Sequence, residues 1–189
     1  MLKKLFKVDN TWAFILFFMI AYMIFKIVTG EEYLKAFNFI IPGLKVTFGS
    51  TLISFFIAII LGLVLGIGRI SKNKISSTLS RTYIEFVRGV PILILIFTIA
   101  FVVVVDAAKF LNINNGNVPM IIRAIIALSL FYGAYIAEVF RAGIESVPVG
   151  QREGGASLGL SDRQVMRHIV LPQAFRNMLP ALGNDFISM

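Results

Sequence analysis

Long apolar blocks constrain the fold of this chain more than any other feature of its sequence. Hydrophobic residues make up 58% of 189 residues and the mean hydropathy is +0.86, whereas soluble domains are roughly 45–50% apolar. A helix that crosses a bilayer needs about 17–25 apolar residues. The blocks are residues 12–28, 45–68, 92–105 and 119–139. We therefore expect an all-α, polytopic membrane helix bundle.

The basic residues lie between these blocks. A net charge of +8 is compatible with nucleic-acid binding, but its placement between apolar blocks favours a membrane protein, and we expect no nucleic-acid partner. Lys and Arg are enriched in the cytoplasmic loops of membrane proteins. The segments predicted to be cytoplasmic are the N-terminus with Lys3, Lys4 and Lys7, residues 69–88 and residues 141–176. Residues 29–45 and 106–118, the latter rich in turn residues (Asn112, Asn114, Asn115, Gly116 and Asn117), are expected outside.

The first apolar block has two interpretations. A basic start followed by an apolar run is typical of a cleavable signal peptide. However, the run is long for that purpose and no A-x-A-like site follows at residues 29–33. We expect a retained spanning helix, so that residues 1–43 form an N-terminal extension in which Tyr33–Ile41 lies along the membrane surface.

A polar stretch, residues 148–172, predicts two short helices that meet at one glycine; we call it the helix–glycine–helix segment. Pro148 suits the first turn of a helix, and Gly159 stands where a left-handed residue would end that helix. Ser161 and Gln164 have the spacing of a capping box that opens the second helix. Pro172 disfavours the α conformation of the residue before it and is expected to close the segment.

This segment resembles the "EAA" loop of ABC importer permeases. The matching residues are Glu153, Gly154, Gly155, Ala156, Gly159, Ile169, Leu171 and Pro172. The alanines of the family pattern are glycines here. The resemblance implies that residues 148–172 couple the membrane domain to a separate ATPase. The alternative is a helical hairpin at the surface with no partner.

Two further stretches narrow the resemblance. Glu85, Arg88, Gly89 and Pro91 match an E-x-x-R-G-x-P pattern of the family, although Glu85 and Arg88 are also spaced for a local ion pair. Residues 133–143 resemble the segment before the EAA loop in polar amino acid permeases of the histidine and glutamine type. The family has two more helices after this point, so we expect residues 44–189 to form an incomplete type I transmembrane domain.

Two charges lie within the last apolar block. Arg123 is near its outer end and Glu138 near its inner end. Fifteen positions separate them, about 22 Å along a helix, so they cannot pair with each other. Ionisable groups at membrane depth are candidates for function, and these two are candidates for a substrate pathway. The alternative is snorkelling to the interface or an interhelical ion pair.

Catalysis by this chain is not expected. It has no G-x-x-x-x-G-K-[ST] loop for phosphate, no cysteine and one histidine, so we expect neither catalytic nor metal-binding residues. The resemblance implies that ATP and Mg²⁺ bind a partner ATPase, and that no cofactor binds here.

The family resemblance implies an importer subunit in the bacterial inner membrane. Its expected partners are the ATPase subunits, a second permease copy or homologue, and an extracytoplasmic binding protein that delivers a polar L-amino acid. The alternatives are an ATP-independent channel or secondary carrier and, less favoured, a membrane enzyme. Carriers often have broken helices with ion ligands at mid-membrane depth, whereas the charges here lie near helix ends.

Overall fold

The computed structural model describes residues 11–113 and 118–189, and each regular element in these ranges is helical. The predicted N-terminal lysines and residues 114–117 of the turn-rich loop lie outside the described residues. The α-helices are α1 (Thr11–Thr29), α2 (Glu31–Arg69), α3 (Lys74–Gly89), α4 (Ile92–Thr98), α5 (Val104–Phe110), α6 (Met120–Glu145), α7 (Val149–Ser157), α8 (Asp162–Val165) and α9 (Leu171–Ser188). Two π-helical segments, Ile99–Val103 and Met166–Val170, join α4 to α5 and α8 to α9.

Four helical stretches in the described residues are long and apolar enough to cross a membrane. They are Trp12–Thr29, Glu31–Arg69, Ile92–Phe110 and Met120–Glu145. Three of them contain a predicted apolar block, and the fourth contains residues 120–139 of the last block. The predicted all-α, polytopic fold is therefore confirmed.

The chain divides into two compact units, residues 1–48 and 49–189. In the first unit, α1 carries apolar side chains on every face, as expected for a helix that spans a bilayer. The Lys26 ammonium lies 5.8 Å from the ring centroids of both Tyr22 and Tyr33. Tyrosine rings and lysine are typical at the border between lipid and water.

The predicted polar connection at residues 29–45 is not a loop. Only Gly30 interrupts the helices, and α2 begins at Glu31 and continues to Arg69 with Pro42 inside it. Two acids in its first turn, Glu31 and Glu32, interact favourably with the positive end of the helix dipole. Proline removes one backbone hydrogen bond, which membrane helices tolerate, so its presence did not mark a helix end.

The core of the second unit forms around α6, which packs against α2, α3 and α9. A Cβ built on Gly62 would lie 2.6 Å from Cγ2 of Ile136, and one on Gly66 would lie 3.3 Å from the carbonyl oxygen of Ala137. The small-xxx-small pattern in α2 is therefore the surface that lets its backbone approach α6. The Tyr83 hydroxyl of α3 donates a hydrogen bond to the Leu130 carbonyl at 2.8 Å, and burial raises the pKa of this phenol.

The prediction that Pro172 ends the helix–glycine–helix segment is wrong, because α9 runs through it to Ser188. Pro172 stands in the first turn of α9, directly after the π-helical segment Met166–Val170. A proline ring clashes with the carbonyl four residues earlier in a regular α-helix, and a π-helical turn changes that spacing. The second short helix is thus continuous with a long one.

Candidate functional site

The bend of the helix–glycine–helix segment is a backbone motif centred on Gly159. This residue has φ +79°, the left-handed conformation that the sequence predicts. The Gly159 N–H donates to the Ala156 carbonyl at 2.9 Å, and the Leu160 N–H donates to the Gly155 carbonyl at 3.2 Å. These two bonds define a Schellman motif, which satisfies the last carbonyls of α7.

Ser161 and Pro148 stand at the starts of the two short helices. The Ser161 N–H donates to Oε1 of Gln164 at 2.9 Å, and the predicted capping box is present. Pro148 is the N-cap of α7, one position before the first helical turn predicted for it. The two helices are therefore positioned by local interactions that the sequence already contains.

The end of the family motif packs against its beginning. A Cβ on Gly155 would lie 2.6 Å from Cδ1 of Ile169 and 2.9 Å from Cγ2 of Val165. Gly155 is buried, whereas Gly154 is exposed and a Cβ there would meet nothing within 4 Å. Ile169 thus holds α7 against the π-helical segment, and Gly155 provides the space.

The outer surface of the segment carries features suited to docking. Leu158 is 81% exposed and Val149 is 67% exposed. Among the described residues, none forms a hydrogen bond or ion pair with the Glu153 carboxylate. Exposed basic residues, Arg163 and Arg167, lie on the same segment. Such a surface can bind another protein, because apolar anchors and free charges are together exposed.

The segment is tied to the helices on either side of it, α6 and α9. The Arg152 guanidinium donates to the Ile144 carbonyl near the end of α6 at 3.0 Å. The segment continues directly into α9 at Leu171, and the Asn177 amide of α9 in turn donates to the Ser146 hydroxyl at the end of α6 at 2.8 Å. Displacement of the segment would therefore act directly on α6 and α9.

Glu138 is the shared counter-ion of three arginines. Its Oε2 lies 2.8 Å from Nη1 of Arg69, and its Oε1 lies 3.8 Å from Nη1 of Arg88 and 3.0 Å from Nε of Arg141. Arg141 also pairs with Glu145. The Glu138 side chain is only 20% exposed. Arg69 ends α2, so the contact is the interhelical ion pair considered as an alternative above.

The alternative reading of Glu85 and Arg88 as a local ion pair is not what the structure shows. Glu85 pairs instead with Arg81, Oε1 to Nε 2.7 Å, one turn earlier on α3. Arg88 turns toward α6, where its guanidinium lies 5.4 Å from the Tyr135 ring centroid. The paired charge and the aromatic face of α6 together favour this orientation.

A cavity of about 370 Å³ opens beside this charge cluster. Its polar lining consists of Arg88, Tyr135, Glu138, Ser146, Asn177 and Asp185. A second cavity of about 550 Å³ shares Arg88, Tyr135 and Asp185. The Oδ2 atom of Asp185 is buried and has no hydrogen-bond partner among the described residues. The Arg88 guanidinium and the Asp185 carboxylate therefore line the same cavities.

The two charges singled out in the sequence are not brought together. Glu138 lines the cavity, whereas Arg123 is not among the residues that line it. The Arg123 Nε donates to the Val118 carbonyl at 3.0 Å, just before α6 begins. The cavity residue that sequence reasoning missed is Asp185, and the one signal that could have found it is that it is the single acid in α9.

The helical fold and the helix–glycine–helix segment together define a membrane permease of the ABC importer type. Residues 58–189 match the family described as binding-protein-dependent transport system inner membrane component, and the chain belongs to this family. The predicted family resemblance is therefore confirmed.

Similar proteins are amino acid permeases. The chain is 40% identical over 161 residues to the probable amino-acid permease protein YxeN of Bacillus subtilis (strain 168), covering 84% of this chain and 69% of that protein. It is 35% identical to the L-cystine transport system permease protein TcyB of the same organism, covering 78% of this chain and 59% of TcyB. A crystal structure of an amino acid ABC transporter with histidines has a TM-score of 0.74 at 34% identity, covering 84% of this chain and 70% of that one.

Proposed function

We propose that this chain is the membrane-spanning subunit of an ABC importer that translocates a polar L-amino acid. An extracytoplasmic binding protein would deliver the amino acid, and a separate ATPase would bind ATP and Mg²⁺. Family membership supports the class of transporter. The observation that carries the coupling role is the exposed helix–glycine–helix segment, whose bend is held by local hydrogen bonds and which is joined to α6 and α9.

The proposed mechanism is mechanical. Residues 148–172 lie in the cytoplasm and insert into a groove on the ATPase, and a second permease copy or homologue does the same. Closure of two ATPases on ATP brings the two segments together. Because α9 continues from the segment without a break, the movement tilts membrane helices and switches access. A nucleotide shifts this equilibrium only by its difference in affinity for the two states.

The motif residues have distinct roles in this proposal. Gly159 makes the bend, and the free carboxylate of Glu153 orients the loop on the ATPase. Gly154 and Ala156 place no side chain larger than a methyl group on the exposed surface. Gly155 and Ile169 hold α7 against the π-helical segment Met166–Val170. Leu171 and Pro172 carry the segment into α9.

We further propose that the substrate passes the cavity lined by Arg88, Glu138 and Asp185. A guanidinium binds a carboxylate well, and a carboxylate without a partner is suited to an ammonium group. Both groups occur in every zwitterionic amino acid. Arg123 is proposed at the outer approach to this route, since it lies in the first turn of α6.

The coupling role is tested at Gly159. Valine should disrupt the bend, because a β-branched residue does not tolerate positive φ, whereas asparagine adopts it readily. A Cβ at this position meets no atom of this chain within 4 Å, so valine affects the segment itself through the backbone conformation, and asparagine controls for the presence of a side chain. We expect Gly159→Val to abolish most ATP-driven amino acid uptake in vesicles, while Gly159→Asn retains much of it.

Pull-down with the ATPase accompanies the uptake measurement. The valine variant should recover less ATPase than the asparagine variant. Uptake by Gly159→Val at the unmutated rate would contradict the coupling role. Uptake by the unmutated chain without any ATPase or ATP would instead support the channel or carrier.

A further inference from the structure

Two adjoining cavities of opposite character lie at the start of α9. The larger is an apolar groove of about 940 Å³ between α2, α6 and α9, lined by residues such as Leu63, Ile67, Phe140 and Phe175. Among the described residues that line it, Arg176 alone is charged. The smaller is a polar cleft of about 380 Å³, lined in part by Gln151, His168 and Gln173. Pro172 and Arg176 line both, so the two spaces meet at Arg176.

The length of the groove matches one leaflet of a bilayer. It extends from Ile59 in α2 to Ile70, the residue directly after this helix, about 16 Å at the rise of an α-helix. Half of a hydrocarbon core of roughly 30 Å is about 15 Å. The exposed Lys72 and Lys74 follow directly after the Ile70 end. The groove therefore ends where the sequence becomes basic.

Arg176 is available to an external anion. Its side chain is exposed, and among the described residues none forms an ion pair or hydrogen bond with it. The cleft beside it is polar, and its Gln173 amide already donates to the Gln151 amide oxygen at 3.4 Å and to the Ile169 carbonyl at 2.9 Å. The Arg176 guanidinium is therefore the charged donor at the open end of the apolar groove, and a cation in that place complements a molecule that has an anionic head and an apolar tail.

We propose that this composite site binds an anionic phospholipid, with an acyl chain in the groove and the phosphate against Arg176. The inference rests on the proposed cytoplasmic placement of residues 148–172 in one respect: this placement assigns the lipid to the cytoplasmic leaflet. Because lipid tails elsewhere in the bilayer are as apolar as the groove, the tail alone gives no selectivity. The preference for anionic over zwitterionic lipid comes from Arg176 and is expected to be about fivefold, the contribution of one basic residue at a membrane surface.

The test uses the permease–ATPase complex in nanodiscs of phosphatidylcholine with a minor fraction of phosphatidylglycerol. Native mass spectrometry after transfer to detergent measures the lipids that remain bound. Phosphatidylglycerol should be enriched over its fraction in the nanodisc, and Arg176→Gln should lower that enrichment about fivefold. Arg163→Gln is the matched control, since Arg163 is exposed on the same segment but lines neither cavity.

A second pair of variants tests the groove. Ile67→Trp should fill it and lower lipid retention, whereas Val64→Trp should not, because Val64 is similarly exposed on α2 but does not line the groove. Size-exclusion chromatography checks that both variants remain folded. If they are lost, the two arginine variants still decide the question.

Several results would overturn the proposal. One is the absence of phosphatidylglycerol enrichment, and another is an equal loss of that enrichment in Arg163→Gln. A third is full competition by glycerol phosphate, which would show a small-anion site without a role for the groove. Lipid bound to the isolated permease but excluded from the complex would assign the groove to the ATPase or a second permease copy. ATP-driven uptake is read separately, so loss of transport with unchanged lipid selectivity would contradict only the proposed function.

Discussion

At the scale of single residues, adjacent glycines in the family motif have different surroundings. Gly154 is exposed with free space around it, whereas Gly155 faces Ile169 and Val165 at less than van der Waals distance from any added Cβ. The two positions look equivalent in the sequence, where both replace an alanine of the family pattern. Only the packing of the π-helical segment distinguishes them.

This difference gives a prediction for alanine substitution. Gly154→Ala should raise the stability of α7 by up to about 1 kcal/mol, since alanine is the better helix former. Gly155→Ala has the same gain but must displace the Ile169 methyl, and overpacking costs about 1–3 kcal/mol. Thermal unfolding of the purified complex should therefore rank Gly154→Ala above the unmutated chain and Gly155→Ala below it. The reverse order would mean that Ile169 does not pack on α7.

At the scale of elements, charges at the helix ends hold α2, α3 and α6 together. Glu138 meets arginines from each of these helices, and its side chain is 20% exposed. By contrast, the Arg81–Glu85 pair lies on one helix with side chains 67% and 56% exposed. Buried and exposed ion pairs of similar geometry differ in energy because water screens the exposed pair.

We expect Glu138→Gln to be far more damaging than Glu85→Gln. The first leaves three arginines close together without their shared carboxylate, a loss of about 1–3 kcal/mol. The second removes a surface pair that contributes about 0–1 kcal/mol. Thermal unfolding in the same detergent compares the two, and Glu85→Gln is the matched control for loss of one acid. Equal shifts for both variants would show that Glu138 does not hold the helices together.

At the scale of the whole molecule, the proposed orientation depends on the distribution of basic residues. The chain has no cysteine, so single cysteines can be introduced without background. Leu158 is 81% exposed on the helix–glycine–helix segment, and Phe110 is 87% exposed at the end of α5. These positions are predicted to lie on opposite sides of the membrane.

Labelling of intact cells with an impermeant maleimide should modify Phe110→Cys and spare Leu158→Cys. Leu158→Cys should react once the cells are permeabilised. Lys72→Cys, in the exposed turn between α2 and α3, provides a second cytoplasmic position that does not depend on access to an ATPase interface. Reaction of Leu158→Cys in intact cells would place residues 148–172 outside and remove the basis for coupling.

The sequence by itself determined the four apolar spans, the left-handed Gly159 and the capping box at Ser161. These features rest on composition or on contacts between residues a few positions apart, so local sequence was enough to predict them. The tertiary structure decided that Arg88 pairs with Glu138 instead of Glu85, that α9 continues through Pro172, and that Asp185 faces a cavity. A long side chain such as that of Arg88 can reach several partners. At a proline such as Pro172, a helix can either end or continue with a local change in its backbone hydrogen bonds. Which outcome occurs depends on the surfaces that distant helices bring together, and no local pattern specifies them.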